Sequence, residues 1–320
     1  MQTIRINTPA KINLTFDILN TREDGYHDIE TIFQSISLED KLLVELEKTS
    51  SAQFEICCSN QAIKGLMPLD SSNLMGKAAS IFFQFLNLAQ KFRVSVQIEK
   101  NIPIGAGLAG GSSNAAGMLL GLNELFDRPL NFEQLSLLAA QIGSDVPFCL
   151  KGGTCIGRGR GEILSELKSK LQLSLCIVKP RKLSVSTPWA YKSFDNYKGE
   201  LKKPSIEKAL TGLKTADLEL ALSGFANVFQ PLVFQEFPEL EKLNQQLIDL
   251  GAWASQMSGS GPTLFAVVSG REMGHHLRRQ VLRDDDIGFV YGTDEILAEA
   301  LAPIDFKLAE TCDYGVRVLK

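Results

Sequence analysis

A chain of 320 residues is long enough to bury two separate cores. Hydrophobic residues at 44% and charged residues at 22% are ordinary for a globular protein, while a net charge of −4 and a pI near 5.6 argue against a nucleic-acid-binding surface. Six cysteines (57, 58, 149, 155, 176, 312) without a CxxC pair and three histidines (27, 275, 276) lack zinc-site spacings, the opening MQTIRINTPAKINLTF has no apolar leader core, and runs such as TLFAVV are too short for a bilayer; the expectation is a reduced, cytoplasmic chain with no membrane partner.

Residues 4–19 read as a strand, a break at TPAK and a second strand with alternating faces. Lys11 and Asn13 alternate with Ile12 and Leu14, so the two polar residues share the side away from the apolar ones. Residue type alone makes Lys11 a solvated edge charge. The segment 22–27, REDGYH, is a turn around Asp-Gly; Tyr26 either packs locally or offers a flat face to a base. Strand patterns alternate with charged turns over 32–56, and 73–85 reads as a helix capped by Ser72 or Asn73. A strand over 93–99 leads to Lys100, which either reaches a phosphate or substrate or stays solvated.

Glycines at 105, 107, 110 and 111 then permit positive φ and close backbone approach to a ligand. Ser112 and Ser113 follow as expected N-caps, and Ala115, Met118, Leu119, Leu122, Leu125 and Phe126 recur at helical spacing. Strand, glycine loop and helix form an anion cradle, with the unpaired N–H groups of the first turn facing the loop. Gly105, Gly107 and Gly110 fit GxGxxG, but a dinucleotide fold needs a second strand ending in an acidic residue about 20 positions on, where 131–141 reads as a helix. Gly111 stands where a Walker A loop has its lysine. A plain structural turn is the remaining alternative to a phosphate loop of another kind.

Asn131 with Gln134, and Leu130 with Leu135, mark the start of the next helix, which ends at Gly143. In GSDVPF, Asp145 is either a turn or capping aspartate before Pro147 or a cleft carboxylate. Arg158 and Arg160 lie in a second glycine-rich segment, solvated or touching phosphates. Polar residues over 162–172 suggest a domain boundary, giving units of 1–165 and 166–320. Thr187 and Pro188 read as cap and first-turn proline; helix fills 225–250 with breaks at Pro231 and Pro238, and Gly259-Ser260-Gly261 is a tight loop before a buried strand.

Taken in order, PAKINLTFDI, DGYH, PIGAGLAGGSSNAA, GSDVPF and MSGSGPT resemble the motifs of the GHMP kinases, the superfamily of galactokinase, homoserine kinase and mevalonate kinase. The set looks most like the branch that acts on 4-diphosphocytidyl-2-C-methyl-D-erythritol. The resemblance implies an α+β, two-domain architecture with the active-site cleft between an ATP-binding and a substrate domain. It implies ATP with Mg2+ as cofactor, Lys11 and Asp145 as catalytic residues, and ATP on Pro103, Gly105, Ala106, Gly107, Leu108, Ala109, Gly110, Gly111, Ser112 and Ser113. Asn13, Tyr26, His27, Lys100, Thr187, Gly259 and Ser260 would meet the small-molecule substrate, with Tyr26 stacking on its cytosine and His27 recognising the base edge. The role has a chemical reason: an alcohol is a weak nucleophile, and a carboxylate within hydrogen-bond reach orients it and takes its proton.

Where many relatives carry glycine this chain has Ala109, a small residue that narrows the loop. No acidic residue stands out as a magnesium ligand, so the metal is expected on the ATP phosphates, with Ser113 as the one protein candidate. The expected assembly is a monomer or weak homodimer. Another GHMP kinase would have no use for DGYH, since its substrate has no base; a metabolite-binding regulator would have no use for both Lys11 and Asp145.

Overall fold

A computed structural model describes residues 1–58, 65–88, 90–282 and 304–319. β1 (Gln2–Thr21) and β2 (His27–Thr49) form a long antiparallel hairpin, closed where the Arg22 N–H donates to the Tyr26 carbonyl. The expected break at TPAK is instead a register shift between Pro9 and Ala10 inside a continuous strand. Proline cannot donate to a ladder, and a bulge is where a strand tolerates it. Further shifts fall between Asn13 and Thr15 and between Ile18 and Asn20, so β1 bends along the stretch that carries Lys11 and Asn13.

β4 (Lys91–Glu99) pairs with β2 and runs parallel to β3 (Gln53–Cys58); β5 (Thr154–Arg158) pairs with another part of β2 and with β6 (Ile163–Leu167). Against this sheet pack α1 (Leu74–Phe85), α2 (Gly110–Leu125), α3 (Phe132–Ile142) and α4 (Val146–Lys151), burying Phe82, Met118, Leu119 and Leu138 on Leu42, Val44 and Val96. Asn73 caps α1 and an Asn131–Gln134 capping box opens α3, both as expected. The start of α2 differs. Its N-cap is Ala109, held at φ 54, and the helix begins at Gly110 with no side-chain cap, which moves Ser112 and Ser113 into the first turn. The left-handed cap turns the chain directly from the glycine loop into the helix, so backbone N–H groups rather than serine hydroxyls face the loop.

A second sheet is built from β7 (Ser174–Pro180), β8 (Ala254–Met257), β9 (Leu264–Val268) and β10 (Ile304–Glu310), in the order β10-β7-β9-β8. Helices α5 (Thr187–Asn196), α6 (Ile206–Thr215), α7 (Leu218–Ser223), α8 (Gln230–Glu236), α9 (Pro238–Asp249) and α10 (Arg271–Val281) accompany it. Pro231 lies in the first turn of α8 and Pro238 opens α9, where a missing N–H costs nothing. β11 (Arg317–Leu319) returns to the first sheet beside β1. Of the tail past 270 that the sequence leaves unassigned, residues 283–303 and 320 lie outside the described ones.

One buried cluster joins the two sheets: Ile12, Leu14, Ile32 and Ile36 pack with Leu175, Ile177, Phe265 and Val267. This is where the alternation in β1 takes effect. Its apolar side chains enter the shared core, and Lys11 and Asn13 turn to the opposite face. No described helix is long and apolar enough to cross a membrane.

Candidate active site

A cleft of about 1010 Å3 opens where β1, the glycine loop, the first turn of α2, α5 and the 259–261 turn converge. Lys11 sits in it only 5% exposed; its ammonium donates to Asn13 Oδ1 at 2.7 Å, lies 3.7 Å from Asp145 Oδ2 and stands 5.3 Å from the centre of the Phe33 ring. The solvated-edge alternative for Lys11 therefore fails. Asp145 occupies the N-cap position of α4, yet its side chain makes no cap bond. Its carboxylate faces Lys11 and the cleft instead.

Gly105 and Gly107 adopt φ 61 and 71, and a Cβ on Gly107 would stand 2.3 Å from the Ser258 carbonyl, so the loop can meet the 258–261 turn only without a side chain there. The Lys11 N–H donates to the Leu108 carbonyl, tying the loop to β1. Pro103 and residues 105–112 all border the cleft. Ser113 does not: its hydroxyl is fully buried and donates to the Pro9 carbonyl at 2.7 Å. The expectation of Ser113 as a phosphate or magnesium ligand is corrected, since that side chain is committed to the helix–strand junction.

The Lys100 side chain, 4% exposed, is held at the foot of the loop as an ion pair with Asp40, itself 0% exposed. Asp40 also accepts from the N–H groups of Asn101 and Ile102 at 2.7 and 2.8 Å and from Asn114 Nδ2 at 2.9 Å. One carboxylate thus clamps the chain on both sides of the glycine loop. In sequence Asp40 looked like one more charge in a strand region.

Tyr26 is 56% exposed, with the Arg160 guanidinium 4.9 Å from its ring centre. Arg160 borders the cleft; Arg158 turns away to Glu30. His27 is buried, its ring stacked on Tyr191 at 4.9 Å and its Nε2 2.8 Å from Asp195 Oδ1. Burial, and then the Asp145 charge, push the Tyr191 phenol well above its ordinary range, so it presents a neutral ring. Tyr191 and Asp195 went unread in sequence because the TPWAYKSFD stretch shows only a helix start.

Thr187 is not the cap of α5; Ser186 holds that position. The Thr187 hydroxyl meets Ser260 Oγ at 3.0 Å across the cleft mouth. The loop carrying Gly259 and Ser260 is fixed from behind by Asn227, which donates to the Met257 and Gly259 carbonyls, both at 2.8 Å. Ser258 Oγ takes the Asn13 N–H at 3.3 Å and donates to the Gly107 carbonyl at 3.1 Å, joining β1, the glycine loop and the 258–261 turn. The cleft continues past the glycine loop to Met67, Pro68, Asn73 and Leu74.

Residues 73–153 match the family described as GHMP kinases N terminal domain, and residues 203–284 match GHMP kinases C terminal. A solved structure of 4-(cytidine 5'-diphospho)-2C-methyl-D-erythritol kinase superposes with a TM-score of 0.72 at 28% identity, covering 96% of this chain and 99% of that one. A mevalonate kinase, solved as "L. major mevalonate kinase in complex with R-mevalonate", superposes at 0.69 with 15% identity over 98% of this chain and 97% of its own, and shares the fold. Fold and site define an ATP-using small-molecule kinase. The 4-diphosphocytidyl-2-C-methyl-D-erythritol kinase of Thermosynechococcus vestitus (strain NIES-2133 / IAM M-273 / BP-1) is 38% identical over 98% of both chains, and that of Listeria innocua serovar 6a is 37% identical over 83% of this chain and 87% of its own. The chain belongs to the 4-diphosphocytidyl-2-C-methyl-D-erythritol kinase family of GHMP kinases.

Proposed function

We propose that this chain transfers the γ-phosphoryl group of ATP to the 2-hydroxyl of 4-diphosphocytidyl-2-C-methyl-D-erythritol, in the non-mevalonate route to isoprenoid precursors. The observation that carries the reading is the Lys11–Asp145 pair, 3.7 Å apart, on the same cleft as the glycine loop and an aromatic corner. Asp145 accepts the proton of the substrate hydroxyl as its oxygen bonds to phosphorus, and the bond to the ADP oxygen breaks. Lys11 draws charge from the hydroxyl and the moving phosphoryl oxygens, while the N–H groups of the loop and the first turn of α2 hold the nucleotide phosphates.

The nucleotide base rests on the Met67–Leu74 side of the cleft. The cytosine rests on Tyr26 at the other side, where Arg160, His27, Tyr191 and Asp195 close the corner. Lys100, in this reading, acts from beneath the loop with its charge offset by Asp40. Thr187, Ser260 and Gly259 line the approach to the reacting hydroxyl.

Among the described residues no group of three or more His, Cys, Asp and Glu side chains could hold a metal ion. Mg2+ is assigned to the phosphate oxygens of the incoming nucleotide. The division into an ATP-binding unit of 1–165 and a substrate unit of 166–320, a cytoplasmic location and a monomer or weak homodimer complete the proposal.

The test is ADP release from Mg-ATP with the diphosphocytidyl substrate beside mevalonate, homoserine and galactose, for wild type and Asp145→Asn. Turnover confined to the cytidine substrate, reduced by about 100- to 10,000-fold in the variant, is expected. Turnover on another alcohol would remove the base pocket from the proposal, and an Asp145→Asn enzyme of wild-type rate would remove the catalytic carboxylate.

A further inference from the structure

The hydrogen bonds beneath Lys11 have one consistent direction. At one end an ammonium can only donate, and Lys11 donates a hydrogen bond to Asn13 Oδ1 at 2.7 Å. At the other end a carbonyl can only accept, and that of Thr15 takes the Thr31 hydroxyl proton at 2.5 Å. A hydroxyl carries a single proton. Thr31 Oγ1 must therefore accept where it meets Asn13, whose Nδ2 donates to it at 2.8 Å. Only the oxygen of the Asn13 amide is then left for Lys11.

Asn13, Thr15 and Thr31 are all 0% exposed, so no bulk water can replace a link. The backbone of Asn13 is held as well, its N–H by Ser258 Oγ at 3.3 Å and its carbonyl by Gln256 Nε2 at 3.3 Å. The one remaining freedom at this residue is the orientation of its amide. Turned over, the amide would set an NH2 against the ammonium, donor against donor, and Lys11 would lose its shortest contact.

We propose that Thr31 is a positioning residue for phosphoryl transfer: its hydroxyl fixes the Asn13 amide and thereby holds the Lys11 ammonium beside Asp145. Thr31 is not among the residues bordering the cleft, so it acts through Asn13. The inference rests on the proposed reading of Lys11 and Asp145 as the catalytic pair. A misplacement of the order of an ångström at such a group lowers turnover by up to about 100-fold.

The experiment compares Thr31→Val, which keeps the shape and removes the hydroxyl, with Thr31→Ser, which keeps the hydroxyl and removes the methyl. Expected are a kcat about 10- to 100-fold lower for the valine variant with little change in KM for ATP, and near wild-type kcat for the serine variant. If the valine variant does not fold, Thr31→Cys, with a thiol that bonds weakly, is expected to lower kcat in the same way. Equal loss in the valine and serine variants would assign the effect to packing and overturn the proposal, as would a valine or cysteine variant of wild-type kcat. A crystal structure of the substituted protein decides the point without turnover. The Lys11–Asn13 contact should open beyond ~3.5 Å, and its persistence near 2.7 Å would overturn the inference. A wild-type protein inactive on all four alcohols would refute the proposed function and leave this structural test standing.

Discussion

Replacing Asp40 with alanine removes the acceptor of four donors at once: the Lys100 ammonium, the N–H groups of Asn101 and Ile102, and Asn114 Nδ2. Lys100 and Asp40 have side-chain exposures of 4% and 0%, so water does not take over. Deleting one partner of a buried ion pair costs about 3–5 kcal/mol. Each further buried donor left without a partner adds about 1–3 kcal/mol, discounted because the losses overlap. We expect Asp40→Ala to lower unfolding free energy by at least ~4 kcal/mol, against roughly 5–15 kcal/mol for a typical domain. Asp40→Asn, which keeps one acceptor oxygen but turns an NH2 toward the lysine or asparagine, should lose about 2–3 kcal/mol. Urea unfolding with the slope unchanged is the assay. Asp40→Asn should also raise KM for ATP, because residues 100–102 and Asn114 flank the glycine loop. Replacing both partners, Asp40→Ala with Lys100→Met, should recover part of the stability. A loss below ~1 kcal/mol in Asp40→Ala would refute the account of a buried clamp.

Gly107→Ala places a Cβ 2.3 Å from the Ser258 carbonyl at φ 71; parting the loop from the turn should lower kcat/KM for ATP by ~10-fold or more, and wild-type kinetics would show that the two do not need to touch. Burial lowers the Lys179 pKa below its ordinary 10.5, so between the two values the unfolded chain binds the extra proton and stability rises with pH; Lys179→Met should flatten that rise in unfolding measured over the same window. Cys57 is exposed whereas Cys149, Cys155 and Cys176 are buried, burial pushing the last two to about 11 and about 12. A thiol reagent should modify Cys57 rapidly and these three only on unfolding; rapid reaction of the buried three would contradict the packing of α4, β5 and β7.

The parts of the site that sequence revealed are those whose geometry is local. Glycine spacing announces a left-handed loop, the Asn131–Gln134 capping box a helix start, and the alternation of Ile12 and Leu14 with Lys11 and Asn13 a two-faced strand. Ser113 misled because a serine after glycines looks like a cap, whereas Ala109 takes the left-handed position and the helix starts one residue later. Asp40, Tyr191, Asp195 and Asn227 could not be read, since each acquires its role from a partner far away in the chain: Asn114, His27 and the Gly259 carbonyl are placed beside them only by the fold. The resemblance to the GHMP kinases supplied the order of the motifs, and the hydrogen bonds that support them came from the structure.

The pairing of β11 with β1 bears on the edge of the first sheet. Arg5 opposes Leu319 and Asn7 opposes Arg317, so the first part of the strand that carries the site lysine has its outer partner only when residues 317–319 are in place. The Cys149 carbonyl, too, waits for the Val316 N–H, and the Gly152 corner for the close approach of Gly315. A chain lacking residues 316–319 would leave that rim bare, and a bare strand edge is where an extended segment of another molecule can add. A chain truncated before residue 316 should expose this edge and aggregate more readily than one that keeps residues 316–319, read by light scattering during refolding; equal scattering would refute the role of the returning strand.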